Sequence, residues 1–240
     1  MNPITNSTIK RKTKKYRICN GASPLRILIT AGPTREPIDP VRFITNHSTG
    51  TMGYAIAESA SRSGHRVTLI TGPSPSLKRP HRTKIISVVT AKEMFGAVKK
   101  NSKLSNCVVM SAAVADYKPK KYFSRKLKRT KEIRNIGLEK NPDILSWLGE
   151  NKQDKILVGF CMETEKLLKN AKRKMHTKRT DLMVANRINK ACPPFGTNRT
   201  SVVILGPDKT ELRIKHATKK YIAGILLDKI EDLWYKKLQN

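Results

Sequence analysis

Amide, hydroxyl and glycine groups lie together in the segment Asn46-His47-Ser48-Thr49-Gly50, downstream of an apolar run from Leu25 to Thr30. Apolar residues recur at helical spacing from Met52 onward, so a helix is predicted to start here. A strand, a polar loop and a glycine-bearing helix start together present backbone N–H groups to a phosphate in open α/β sheets. The spacing is not G-x-G-x-x-G, so the pattern predicts a nucleotide site without specifying the nucleotide.

A second polar group ends the apolar run 107–113, which closes with Ser111-Ala112-Ala113 and is followed by Asp116. Small residues at the end of a parallel strand allow a flat base or a sugar to approach the backbone. Asp116 either holds a ribose hydroxyl or a hydrated metal ion, or caps a turn.

Three further residues suggest a ligand. The ring of Phe160, in the apolar run 155–161, either stacks on a nucleobase or packs beneath a helix. Lys174 and Lys178 stand four residues apart on a predicted helix over 163–179, and like charges at this spacing repel each other unless an anion lies between them. The alternative is a solvated basic helix face.

Two segments between these strands and helices also bear on the site. The segment Asn141-Pro142-Asp143-Ile144 predicts a helix start, with Asn141 as N-cap and Pro142 in the first turn. Residues 117–131 carry so much positive charge that we expect a mobile basic loop, either a flap beside a phosphate site or a solvated linker.

The remaining elements alternate between strand and helix patterns, which predicts a three-layer, Rossmann-like open α/β sheet, mainly parallel, with helices on both faces and right-handed crossovers. Ligands should then sit at one sheet edge, beyond the strand ends at Thr30, Ala113 and Phe160. The other predicted strands are 66–71, 84–89 and 181–186, a hairpin of 201–205 with 211–215, and the other predicted helices are 91–100 and 217–238.

The chain is predicted to be one nucleotide-binding domain over 24–240, preceded by a disordered basic arm over 1–23. The arm lacks the apolar core of a secretory signal, and no stretch approaches the roughly 20 apolar residues of a membrane span. The four cysteines form no C-x-x-C pair, and Cys107 and Cys161 lie in apolar runs. They are expected to be buried thiols in a cytoplasmic protein, and no metal site is expected.

The charge is extreme, with 49 lysines and arginines against 18 aspartates and glutamates, a formal net charge of +31. Such a balance suits nucleic acid, but also small anionic substrates or a general lysine bias. The basic residues run through the whole chain, aromatic residues make up 5%, and no RNA-stacking motif is present. Nucleic acid is therefore not the expected partner.

Seven segments in order carry a resemblance to phosphopantothenoylcysteine synthetase, the bacterial CTP-using phosphopantothenate–cysteine ligase. The resemblance covers residues 25 to about 235, and Thr51 stands where the family motif has a lysine. The segments are ITAGPTREPIDPVRFITNHSTGTMG, SAAVADY, the basic KLKR loop, NPDIL, VGFCMET, the K-x-x-x-K helix before DLMVAN, and FGTN.

The resemblance implies roles for individual residues. Asn46 and Lys126 would be catalytic, with Asn46 acting on the acyl-cytidylate and Lys126 on the second step, and Arg42 and Asn46 would bind phosphopantothenate. The residues implied to bind CTP are Ser48, Thr49, Gly50, Ser111, Ala112, Ala113, Asp116, Lys126, Asn141, Pro142, Asp143, Ile144, Phe160, Lys174 and Lys178.

The resemblance also implies the substrates CTP, 4′-phosphopantothenate and cysteine, Mg²⁺ held mainly by nucleotide phosphates, no flavin, and a homodimer. The chain would be a free-standing synthetase whose product passes to a separate decarboxylase. The alternatives are a non-catalytic Rossmann-like protein that binds nucleotide or nucleic acid, and an NAD dehydrogenase, which the missing glycine fingerprint disfavours.

Overall fold

The computed structural model describes residues 23–128, 135–187, 198–207 and 210–239. The strands in these residues are β1 (Arg26–Ala31), β2 (Arg35–Pro37), β3 (Phe43–Thr45), β4 (Arg66–Thr71), β5 (Thr83–Ser87), β6 (Cys107–Met110), β7 (Tyr117–Pro119), β8 (Leu138–Lys140), β9 (Ile156–Glu163), β10 (Leu182–Arg187), β11 (Arg199–Leu205) and β12 (Glu211–Thr218). The helices are α1 (Thr51–Arg62), α2 (Ala91–Ser102), α3 (Ile144–Glu150), α4 (Leu167–Thr177) and α5 (Lys219–Gln239).

Eight of these strands form one central sheet in the order β12-β11-β10-β9-β6-β1-β4-β5. The six strands from β10 to β5 pair in parallel, and β11 and β12 extend the sheet as an antiparallel hairpin. Numbered along the chain, the parallel strands lie in the order 3-2-1-4-5-6, so the direction of winding reverses between β1 and β6. Ligands of such sheets bind beyond the strand ends at this reversal.

Side chains alternate across the sheet, and both faces are covered. Ile27 and Ile29 of β1 point into a core shared with α1 and α5, whereas Leu28 between them packs with residues of α2 and α3. Helix α4 covers β9 and β10 through a smaller cluster around the fully buried Ala171. The predicted three-layer, mainly parallel α/β fold is confirmed.

The strands β1, β6 and β9 run in parallel, so their carboxyl ends share one edge, as predicted. Two boundaries next to this edge differ from prediction. Strand β9 continues to Glu163, because it pairs with β10 as far as Arg187, and α4 therefore starts only at Leu167. Helix α3 is capped by Asp143, whose carboxylate accepts a hydrogen bond from the Ser146 N–H, and not by Asn141.

The basic loop packs more than its charge suggested. Its start, β7, pairs with β8 in an antiparallel ladder, and Phe123 N–H donates to the carbonyl of Ile38. The prediction that 117–131 does not pack is therefore wrong for this part, because backbone hydrogen bonds are available that charged side chains do not disturb. Residues 129–131 of the loop and the predicted basic arm, except residue 23, lie outside the described residues.

A glycine sets the distance between α3 and the end of α4. A Cβ on Gly149 would lie 2.2 Å from the carbonyl oxygen of Lys178, so only glycine permits this approach. Because α3 and α4 both border the edge where β6 and β9 end, Gly149 helps to fix the width of that region.

We predict that Gly149→Ala lowers the free energy of unfolding by about 1–3 kcal/mol, the usual cost of overpacking. Gly96→Ala is the matched control, since Gly96 also lies within a helix and a Cβ there meets nothing within 4 Å. It should raise the free energy of unfolding by about 0.5–1 kcal/mol through helix propensity. Urea unfolding of both variants tests this, and equal effects of the two substitutions would contradict the packing argument.

Candidate active site

The carboxyl ends of β6 and β9 open into a cleft of about 530 Å³ that is closed on its sides by α3 and the last turn of α4. Nine of the residues predicted to bind CTP line it together. They are Ala112, Asp116, Asn141, Pro142, Asp143, Ile144, Phe160, Lys174 and Lys178.

Asn141 contributes an acceptor to this cleft that has no use in the fold. Its amide nitrogen donates to the carbonyl of Ala115 at 2.8 Å, and its backbone N–H donates to the carbonyl of Asp116 at 2.9 Å. The side-chain oxygen is buried and has no hydrogen-bond partner in the described structure. A buried polar atom without a partner costs free energy, so this oxygen suits a ligand that brings an N–H or O–H donor.

Phe160 lies within β9, not at its end; the half-buried residue borders the cleft, and its side chain packs against the core shared with α1 and α5. Of the two roles weighed from the sequence, packing in the core is observed, and base stacking stays a prediction. An apolar wall with a few convergent polar groups is the usual form of a site for a small ligand.

The two lysines of the cleft each have a carboxylate partner. Lys174 Nζ lies 2.8 Å from Glu163 Oε1, and Lys178 pairs with Asp143 and donates to Ser146 Oγ at 2.7 Å. The negative charge needed to keep Lys174 and Lys178 from repelling each other is thus provided by carboxylates of the protein before any ligand binds. A bound phosphate would have to share these lysines with the carboxylates or take their place.

Asp143 is held ionised at this position. Burial raises the pKa of its carboxyl group, but the hydrogen bonds from Lys178 and from the Ser146 N–H outweigh burial and lower the pKa below its usual value. Asp143 therefore caps α3 and holds Lys178 at the rim of the cleft at the same time.

A second group of predicted residues lies where the strand order reverses, between β1 and β6. Asn46 donates its amide to the carbonyls of Ala113 and Val114 at 3.3 and 3.1 Å. Ser111 Oγ donates to the carbonyl of Thr30 at 2.7 Å. These contacts tie the loop after β3 and the end of β6 to one corner of the sheet edge.

The N-terminus of α1 faces this corner. Gly50 caps it with φ +78°, a left-handed conformation that glycine adopts without strain, and no side chain caps the helix. Ser48 Oγ accepts from the Gly50 N–H, and Thr49 shares a 2.7 Å hydroxyl contact with Thr51. The helix has no acidic residue in its first turn, so its N-terminal N–H groups and positive dipole end favour an anion.

Arg42 and Lys126 do not line the cleft. The guanidinium of Arg42 pairs with Asp39 and donates to the carbonyl of Leu127 at 3.0 Å. Lys126 borders a separate hollow of about 410 Å³ that residues 121–128 form by themselves. In this conformation the structure brings neither cation to the cleft between α3 and α4.

Sequence reasoning missed residues that act on the predicted ones. Glu163 and Asp39 hold Lys174 and Arg42, and Tyr117, Lys140 and Met183 line the cleft. Acidic residues are few in this chain, so an acid that lies near a predicted site cation in the sequence, such as Asp39 before Arg42, could have indicated an ion pair.

The two cysteines among the described residues, Cys107 and Cys161, do not line the cleft. Burial raises the pKa of Cys107 far above its usual value and that of Cys161 to about 11, so both remain protonated and inert, as expected. The other two cysteines lie outside the described residues. Across the described ranges, no three His, Cys, Asp or Glu side chains are grouped so as to hold a metal, and no helix is long and apolar enough to cross a membrane.

Comparison with known proteins places this geometry in a family. The model of the DNA/pantothenate metabolism flavoprotein C-terminal domain matches residues 23–233. The coenzyme A biosynthesis bifunctional protein CoaBC of Bacillus subtilis is 41% identical over 208 residues, which are 86% of this chain and 51% of that protein. CoaBC of Escherichia coli K12 is 37% identical over 215 residues, 88% of this chain and 52% of that protein.

A solved structure, the C-terminal domain of a CoaBC protein, superposes with a TM-score of 0.75 at 37% identity, over 88% of this chain and 96% of that one. The chain spans about half the length of the two bifunctional relatives. Since the family model matches nearly all of the described fold, this chain belongs to the family of DNA/pantothenate metabolism flavoprotein C-terminal domains.

Proposed function

We propose that this protein ligates cysteine to 4′-phosphopantothenate through an acyl-cytidylate made from CTP, a step of coenzyme A biosynthesis. The observation that carries the proposal is the cleft at the ends of β6 and β9. Asn141, with its unpartnered side-chain oxygen, and Phe160 line this cleft together with Lys174 and Lys178. The names and identities of the bifunctional CoaBC relatives support it.

The site divides into two regions along the sheet edge. The cleft would hold the cytidine, whose exocyclic amine is a donor that suits the Asn141 oxygen, and the two lysines would contact the phosphates. The corner at Asn46, Ser48 and the start of α1 would hold the acyl phosphate, next to the bound pantothenate arm.

Two balanced steps make up the reaction. A carboxylate oxygen of phosphopantothenate attacks the α-phosphorus of CTP, and the bond from that phosphorus to the bridging oxygen of pyrophosphate breaks. The cysteine amine then attacks the acyl carbon, loses a proton, and the carbon–oxygen bond to CMP breaks. Negative charge develops on oxygen in both steps, where preorganised donors such as the α1 N–H groups contribute most to catalysis.

The amide of Asn46 must change partners to act in this way, because it donates to two backbone carbonyls in the structure. Neither step changes an oxidation state, so the proposed chemistry requires no flavin, although the family name contains the word flavoprotein.

Mg²⁺ would be held mainly by the nucleotide phosphates. The nearby carboxylates of Asp143 and Glu163 are already paired with lysines, so the donor set fits a cation that brings phosphate oxygens as ligands more than a protein cage. When bound, the ion would neutralise charge on the leaving pyrophosphate.

The homodimer predicted by family resemblance is also part of the proposal. Large apolar side chains are exposed on the β2–β3 and β7–β8 hairpins, which lie side by side. The exposed side chains are Val41, Phe43, Tyr122 and Leu138. If a second copy of the chain covered this surface, Arg42 in the β2–β3 turn would lie close to that second copy.

A cytoplasmic location and a separate decarboxylase acting on the product remain predictions. Nucleic-acid binding is not favoured, because the predicted site residues line a cleft of small-molecule size with an apolar wall.

The function predicts a release of pyrophosphate that requires both CTP and phosphopantothenate and occurs without cysteine. A coupled pyrophosphate assay with both substrates in excess over the enzyme should record a burst of about one pyrophosphate per site, and cysteine should convert the burst to steady turnover. Unphosphorylated pantothenate serves as the substrate control. Release that ignores phosphopantothenate, or stabilisation of the protein by duplex DNA and not by CTP, would contradict the proposal.

The division of labour predicts that Lys126→Gln forms the acyl-cytidylate but ligates cysteine at least about 10²-fold more slowly, the usual effect of removing a transition-state donor. The intermediate should accumulate and be isolable by rapid quench and chromatography. Lys128→Gln removes the same charge two residues away and is the matched control. Parental ligation by Lys126→Gln, or loss of both half-reactions, would show that Lys126 has another role.

A further inference from the structure

Asp39 lies in the turn between β2 and β3 and is a buried acid in a strongly basic chain. Its side chain is fully shielded from solvent, and it pairs with Arg42 three residues later. The hydrogen bond from the Arg42 guanidinium lowers the pKa of this carboxyl group well below its usual range, so it is an anion.

The two oxygens of Asp39 have different partners. Oδ1 accepts the backbone N–H groups of Val41 and Arg42 at 2.9 and 2.8 Å and so closes the turn. Oδ2 accepts Arg42 Nε at 3.0 Å, Arg42 Nη2, and the backbone N–H of Leu127 at 3.1 Å.

Arg42 completes the attachment by holding the other backbone group of Leu127. Its Nη2 donates to the carbonyl of Leu127 at 3.0 Å, so the Asp39–Arg42 pair holds both backbone groups of that residue. The Phe123 N–H donates to the carbonyl of Ile38, one residue before Asp39. Lys126, the neighbour of Leu127, is thereby held against the β2–β3 turn.

Arg42 can do this and still meet a ligand. Its side chain is about half exposed, and Nη1 is not among the atoms that bind Asp39 and Leu127. A bound anion on the outer edge of the guanidinium would therefore leave the inner edge on Asp39.

We propose that Asp39 is a positioning residue for the ligation: it holds Arg42 and, through the backbone of Leu127, Lys126 in a fixed relation. Asp39 touches neither substrate nor reacting atoms, and it acts through these two cations. This inference rests on the proposed function, which assigns phosphopantothenate to Arg42 and the cysteine step to Lys126.

Asp39→Asn is a selective test. The amide keeps one oxygen for the Val41 and Arg42 N–H groups, so the turn is retained, but an NH₂ group replaces Oδ2 and cannot accept from Arg42 or Leu127. We expect hydrogen exchange at the Leu127 amide to accelerate about 10-fold or more, as for a lost hydrogen bond to a charged group.

The same variant should raise the KM for phosphopantothenate, because Arg42 loses its anchor, and slow the cysteine step about 10-fold or more, while pyrophosphate release at saturating substrate stays near the parental rate. Asp232→Asn, which removes the same charge from an exposed site on α5, should change none of these. A purely structural role for Asp39 would lower the melting temperature and both half-reactions together.

A second variant removes the hydrogen bond between Leu127 and Asp39 by changing Leu127, and it leaves the Asp39 turn unchanged. Leu127→Pro removes the N–H donated to Asp39 and should reproduce the slow cysteine step. Ser124→Pro is its control, at an exposed position of the same loop whose N–H makes no hydrogen bond among the described residues.

The outcomes separate the two ideas. Unchanged Leu127 exchange in Asp39→Asn overturns the attachment, and faster exchange with parental ligation overturns its role in positioning. If the parental protein makes no acyl-cytidylate, the proposed function fails, while the exchange measurement still decides whether Asp39 holds the loop.

Discussion

The parallel pairing of β6 with β1 on one side and with β9 on the other is the constraint on which the site depends. This pairing places the carboxyl ends of β1, β6 and β9 at one edge of the sheet and leaves a gap between β1 and β6, where the direction of winding reverses. Helices α3 and α4, which pack on the same sheet face, then border a cleft, and α1 points its N-terminus at the corner beside it. Because backbone hydrogen bonds fix this register, the site's distances are set before any side chain contributes.

Three acids of the described chain pair with cations that the sequence predicted to bind a ligand. Glu163, Asp143 and Asp39 each hold one of the basic residues predicted to bind a ligand. In a chain with a net charge of +31, such pairs keep neighbouring cations from repelling each other before a substrate arrives. Substrate phosphates would then displace or join carboxylates at Lys174 and Lys178, so binding exchanges one set of charged hydrogen bonds for another. The exchange favours selectivity over raw affinity, because an anion of the wrong shape cannot satisfy both lysines.

The sequence predicted most of the elements and nine of the residues that line the cleft, for physical reasons. The runs around Leu28, Val108 and Leu157 are apolar because these strands are buried on both faces, and that pattern survives in the sequence alone. Lys174 and Lys178 were predicted to lie together because helical spacing places residues four apart on one face.

The predictions that failed depended on partners distant in the chain. The end of β9 is set by its pairing with β10, and Asn141 donates its amide to the carbonyl of Ala115 instead of capping α3. The course of the basic loop depends on a hydrogen bond from the Leu127 N–H to Asp39, 88 residues away. Charge alone predicted a loop that does not pack, because composition carries no information on backbone acceptors elsewhere.

We propose that the cleft between α3 and α4 receives the nucleotide. A crystal structure of the protein with CTP and Mg²⁺ tests it most directly. We expect the base between Phe160 and the loop that carries Asn141, with its amino group on the Asn141 side-chain oxygen, and the phosphates in contact with Lys174 and Lys178. A nucleotide bound over β4 and β5, or with its base outside the cleft and its phosphates away from both lysines, would contradict this account.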